Sequence, residues 1–136
     1  MVPSRTHVSA VLQRKFDLAK QAVSATLAEV RSVAVTTDLW TSRATQGFAA
    51  FTGHFIDSEW KLNSVLLSAS YMPENHTGEN IAKRTIETLE DFGIAMNKLV
   101  STVHDQASNM VAAGGKMKWW RDMRIYCVLL TDCSCV

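Results

Sequence analysis

Cysteine, proline and glycine are scarce in this 136-residue chain: three, two and six residues. Cys127, Cys133 and Cys135 crowd into the last ten positions, an odd number without paired Cys-x-x-Cys spacing. That pattern argues against a disulfide framework or a structural zinc site and points to a reducing intracellular setting. The two prolines, Pro3 and Pro73, are isolated, and no low-complexity tract or linker divides the chain. No run approaches the ~18 apolar residues a membrane helix needs, and MVPSRTHVS lacks the apolar core of a signal peptide. No membrane association is expected. A formal net charge of +1 gives no overall cationic character. No glycine-rich phosphate loop follows a strand-like run, which ranks a small nucleotide- or metabolite-binding domain last among the function classes.

What is present suffices for one modest core, since 47% of the residues are hydrophobic. Charge is uneven. Residues 1–31 hold Arg5, Arg14, Lys15, Lys20 and Arg31 against Asp17 and Glu29, whereas residues 73–105 hold six acids against Lys83, Arg84 and Lys98; ordinary solvated faces account for most of this. Val8, Leu12, Phe16, Ala19, Val23, Leu27 and Val30 recur at three- and four-residue steps, the pattern of an amphipathic helix. The period then changes. Ser32 to Thr37, Phe48 to Ile56 and Trp60 to Met72 read as strands, the last two joined by the short polar link Asp57-Ser58-Glu59 of a hairpin. Within the third run, Val65, Leu67, Ala69 and Tyr71 alternate with Leu66, Ser68 and Ser70, as one half-buried face requires.

Thr77 caps a helix that presents Ile81, Thr85, Leu89 and Phe92 to one side and ends at Gly93, a left-handed cap. Lys98 to Val103 is a fourth strand. Ser108 or Asn109 then caps a short helix through Ala113, stopped by Gly114-Gly115. This order predicts an α/β mixed sheet: an antiparallel β-meander, a crossover helix, and a strand returning parallel to the first.

In VAVTTDLWTS an apolar run ends in Asp38, and in VHDQASNM the fourth strand ends in Asp105. Parallel neighbours would bring both acids to one sheet edge. Acids at strand ends serve commonly in loops and caps, but two convergent carboxylates also suit Mg²⁺, a hard ion held by one or two carboxylates together with substrate phosphates. His54, His76 and His104 lack metal-ligand spacing and read as surface or satisfied histidines. Trp40 reads as packing ahead of base stacking. Ser108 and Asn109 either orient Asp105 or cap the helix. The run Lys116, Lys118, Trp119, Trp120, Arg121, Arg124 has the basic-aromatic composition of a nucleic-acid contact or of an unpacked tail.

Three blocks, TTDLWTSRATQGFAAFTGHFIDSEWKLNSVLL, HTGENIAKRTIETLEDFGI and VHDQASNMVAAG, together with the preceding PSRTHVSAVL, closely resemble the hAT superfamily of transposases and their domesticated relatives, the BED-type zinc-finger proteins. The resemblance covers about residues 3–115. It implies a ribonuclease H-like fold in which two aspartates and a much later glutamate hold two divalent ions, Mg²⁺ or Mn²⁺, for DNA strand cleavage and transfer. Carried over residue by residue, the catalytic and metal-binding acids are Asp38 and Asp105. It further implies DNA as the partner of the full-length parent, a homo-oligomer in that parent, and a nuclear location.

The departures set further expectations. The family places its second aspartate in a Thr-Asp-Asn context, here His104-Asp105-Gln106. Its Cys-x-x-His block becomes Cys127-Val128-Leu129-Leu130. Residues 1–31 are expected to form a helix leading into the core, residues 32–115 a partial, truncated ribonuclease H-like domain, and residues 116–136 a divergent tail with Ile125 to Leu130 as a candidate fifth strand. The chain reads as a fragment of a hAT transposase-like protein that, without the third carboxylate, is expected to be inactive by itself. The alternative is a domesticated nuclear DNA-binding or chromatin-associated interaction module without catalysis.

Overall fold

The computed structural model describes residues 4–105 and 107–116. Helix α1 spans Arg5–Glu29, and the side chain of its N-cap Ser4 accepts a hydrogen bond from the His7 amide at 3.2 Å. Strands β1 (Val33–Thr41), β2 (Gly47–Ile56) and β3 (Leu62–Tyr71) follow, then α2 (Gly78–Asp91), a 3₁₀ turn at Met96–Lys98, β4 (Leu99–Val103) and α3 (Ser108–Lys116). The strand order is β3-β2-β1-β4; β1/β2 and β2/β3 are antiparallel and β1/β4 parallel. This is the mixed sheet expected, with α2 as the crossover. The tail beyond Lys116, including Ile125 to Leu130 and the basic-aromatic run, lies outside the described residues.

One face of the sheet carries the core. Val33 and Val35 of β1, Ala49, Phe51 and Phe55 of β2, Leu67 of β3 and Leu99 of β4 are buried in one cluster with Leu27 of α1, Ile81, Ala82 and Leu89 of α2, and Met110 and Ala113 of α3. Alternation along the strands therefore turns Ala34, Thr36 and Asp38 to the opposite face, which is uncovered among the described residues. Gly78 allows α2 and α3 to approach closely: a Cβ on it would lie 2.8 Å from the Ala112 Cβ and the Ala113 backbone nitrogen. Thr77 caps α2 by accepting from the Asn80 amide at 3.3 Å, and Gly93, at φ +66°, closes it as expected, with the Ile94 amide donating to the Leu89 carbonyl at 2.9 Å.

Four details depart from the sequence reading. First, β1 continues through Thr41, so Asp38 sits inside the strand, paired with Ala50, rather than at its end. An exposed acid does not interrupt a strand whose backbone is paired with a neighbour. Second, α3 runs through Gly114-Gly115 to Lys116. Third, β3 does not keep one alternation. Phe51 pairs with Ser68 but Thr52 with Leu66, so Leu67 is an extra residue, a β-bulge, that turns into the core. Beyond the bulge the faces exchange: Ser68 and Ser70 turn inward, and Ala69 and Tyr71 join the uncovered face opposite Ala50 and Phe48. Fourth, the apolar stripe of α1 is buried only at its C-terminal end. Val23 packs against the core and Leu27 and Val30 enter it, whereas Leu12 is 61% and Phe16 58% exposed.

Candidate functional site

Asp38 is exposed and, among the described residues, its carboxylate makes no hydrogen bond or ion pair. Its neighbours across the sheet are Ala50 on β2 and then Ala69 on β3, so the carboxylate stands on a floor of methyl groups. On the other side of β1, Thr36 pairs with Val103 of β4. Asp38 and Asp105 are each two residues further along, which puts both acids at the same end of the adjacent parallel strands β1 and β4.

Asp105 has a local task as well. Its Oδ1 accepts from the Ala107 amide at 3.2 Å, and the Ala107 carbonyl accepts from the Met110 and Val111 amides at 2.9 and 3.1 Å. The carboxylate thus shapes the turn into α3. Neither Ser108 nor Asn109 orients it: Asn109 Nδ2 donates to the His76 carbonyl at 2.9 Å, tying α3 to the loop before α2. His104 Nδ1 donates to the Asp105 carbonyl at 2.7 Å.

His54 and His76 have structural places. His54 bridges three strands on the uncovered face, with Nε2 at 3.1 Å from Thr36 Oγ1 and Nδ1 at 2.9 Å from Ser64 Oγ. The His76 ring lies so close to Gly47 that a side chain there would collide with it. Among the described residues, no three His, Cys, Asp or Glu side chains converge to hold a metal ion. The two acids at this end of β1 and β4 are hard oxygen donors, the Asp38 carboxylate unengaged among the described residues, and by themselves they fall short of the six oxygens of an octahedral shell.

A concavity of about 760 Å³ lies at the opposite end of the sheet, lined by Arg31, Ala34, His54, Trp60, Leu62 and Val100 among others. Its apolar lining is far from both acids and offers them no ligand. At the acid end, a feature invisible to the sequence reading emerges. Trp40 pairs with Phe48, and Phe48 with Tyr71, so three aromatic rings form one row beside Asp38. Trp40 does pack, as expected, but against Phe48 on the uncovered face, with ring centroids 5.5 Å apart. The row became legible only once both hairpin registers and the bulge were known.

The chain is similar to the BED zinc-finger proteins DAYSLEEPER of Arabidopsis thaliana, 29% identical over 55% of this chain and 11% of the relative, and RICESLEEPER 2 of Oryza sativa, 26% identical over 57% and 11%. It is also similar to tpeD of Talaromyces stipitatus, provisionally named a transcriptional regulator, 27% identical over 77% of this chain and 12% of the relative. The chain thus spans about a tenth of the length of these relatives. The family model described as the ZBED1 RNase-like domain matches residues 36–133, from the middle of β1 through β4 and beyond. With that match and a helix leading into a four-stranded mixed sheet, the chain belongs to the ZBED1 RNase-like domain family, the domesticated hAT and BED-type lineage whose motifs it carries.

Proposed function

We propose that this chain is the first part of a hAT-type, ribonuclease H-like core derived from metal-dependent DNA strand cleavage and transfer, and that it is inactive alone. The observation that carries the reading is Asp38: an unengaged carboxylate on the uncovered face of β1, beside the strand whose continuation bears Asp105. Asp38 and Asp105 would hold Mg²⁺ or Mn²⁺, and an ion there would supply Lewis-acid stabilisation of charge developing on a phosphoryl group. The alanine floor around Asp38 leaves room for a DNA backbone. Asp105 combines its role with holding the turn into α3. A third carboxylate would come from elsewhere in a longer polypeptide, a reading supported by the small share of its relatives that the chain covers. A nuclear location follows from the same reading.

Mn²⁺ titrated into isotope-labelled chain should broaden the amide resonances around Asp38 and Asp105 selectively, and Asp38→Asn should abolish that broadening. Unselective broadening, or selective broadening that survives the substitution, would sink the metal assignment.

The provisional naming of tpeD as a transcriptional regulator favours a second reading, a domesticated nuclear module that binds DNA or chromatin proteins without catalysis. Binding that persists in chelator and is unchanged by Asp38→Asn would support it.

A further inference from the structure

The row Trp40–Phe48–Tyr71 crosses β1, β2 and β3 on the face that the described helices leave uncovered. Trp40 and Phe48 are stacked, 12° from parallel, and Phe48 and Tyr71 meet edge to face with centroids 5.8 Å apart. Trp40 remains 42% and Tyr71 49% exposed, so the row presents ring surface to solvent. The adjacent row on the same face is Asp38, Ala50 and Ala69, ~7 Å away along the strands. The rings therefore form a wall beside a low floor that carries the carboxylate. On the other side of the wall, the β1–β2 turn carries Arg43, exposed and without an ion-pair partner among the described residues. Near Tyr71 the acids Glu74 and Glu87 are matched by Arg84, which also donates to the Tyr71 carbonyl at 3.3 Å.

We propose that this row is a stacking platform for the unpaired bases of a single DNA strand, with Arg43 placed to meet a backbone phosphate at its border. The proposal rests on the reading of the Asp38 face as a DNA-processing surface and deepens it, naming unpaired bases as what the face takes. A single strand exposes its π-faces and a duplex hides them, and stacking on aromatic side chains tolerates any base. Cross-strand aromatic pairs also stabilise sheets. That role alone would give no preference between single and double strands, which is what the experiment reads.

Binding of a dye-labelled oligothymidine of about 12 nucleotides to the full 136-residue chain, followed by fluorescence anisotropy in EDTA, tests the platform without metal. The single strand should bind more tightly than a duplex of equal length. Trp40→Ala and Tyr71→Ala should each weaken single-strand binding about tenfold, Trp40→Phe and Tyr71→Phe should retain most of it, and Trp60→Ala at the far end of the sheet should leave it unchanged. Equal affinity for duplex, or wild-type affinity in both alanine variants, would overturn the proposal. Asp38→Asn separates the two readings. Ring-dependent binding that survives this substitution upholds the platform even where the Mn²⁺ titration fails; a selective Mn²⁺ response with no ring-dependent binding overturns the platform and leaves the metal reading standing.

Discussion

Thr45 and Trp60 hold equivalent places in the two hairpin turns. In the first, the Ser42 amide donates to the Gln46 carbonyl at 2.8 Å and the Thr45 amide to the Ser42 carbonyl at 2.9 Å; in the second, Asp57, Trp60 and Lys61 repeat the arrangement at 3.1 Å. The fourth residue of each turn adopts the left-handed conformation, φ 58° for Thr45 and 63° for Trp60, where glycine is the usual occupant. A β-branched residue there costs about 1 kcal/mol. Thr45→Gly should accordingly raise the free energy of unfolding by about 1 kcal/mol, read from the urea midpoint; an unchanged midpoint would mean that the turn carries no strain. The second turn has its own brace. Asp57 Oδ1 accepts from the Lys61 and Glu59 amides, each at 3.0 Å, and Oδ2 from Asn63 Nδ2 at 2.7 Å. These bonds, that from Lys61 foremost, hold the carboxyl below its ordinary 3.8. A lowered folded-state pKa contributes stability that is present above the unfolded value and lost as pH falls through the folded one. Asp57→Asn should therefore lose less thermal stability than the wild type between about pH 5 and about pH 2; equal acid slopes would show that the brace is not what titrates.

At the scale of an element, α1 shows what periodicity can and cannot say. Its repeat marks an apolar stripe along one side, yet within Arg5–Glu29 only Leu27 is buried. How far the supporting surface reaches beneath that side depends on the sheet and α2, which the helix sequence does not encode. Leu27 is enclosed, and Lys98 Nζ secures the same end by donating to the Leu27 carbonyl at 3.3 Å and to the Ala28 carbonyl, a cation at the negative end of the helix dipole. Lys20 anchors the middle through Asp91 at 3.4 Å and over the Phe92 ring. Leu27→Ala should cost about 2–5 kcal/mol, while Leu12→Ala should fall within about 0.5 kcal/mol of the wild type. Chemical denaturation of the two variants checks both figures, and comparable losses would mean that the N-terminal half of the stripe is covered after all. The β3 bulge carries the same lesson. Strict alternation put Tyr71 on the face of Val65, and one inserted residue, Leu67, moved it to the other.

Across the whole molecule, strand order and the parallel return of β4 followed from the succession of elements in the chain, because short links and right-handed crossovers leave few arrangements. The acids were legible as residues: Asp38 and Asp105 stand out as charges beside apolar runs. Their surroundings were not. Asp38 looked like the end of a strand because full burial, which periodicity reports, stops at Thr37 and Leu39 is only half-buried; hydrogen bonding to β2, which periodicity does not report, continues to Thr41. The alanine floor, the aromatic row and the second duty of Asp105 in the turn to α3 all depend on residues brought together from separate strands and loops. By itself the sequence determined the element types, the mixed sheet and the family, since these rest on local periodicity, capping and motif. Only the tertiary structure decided which face stays uncovered and what stands beside Asp38, because both are set by register, and a single bulge shifts register without altering the composition of the strand.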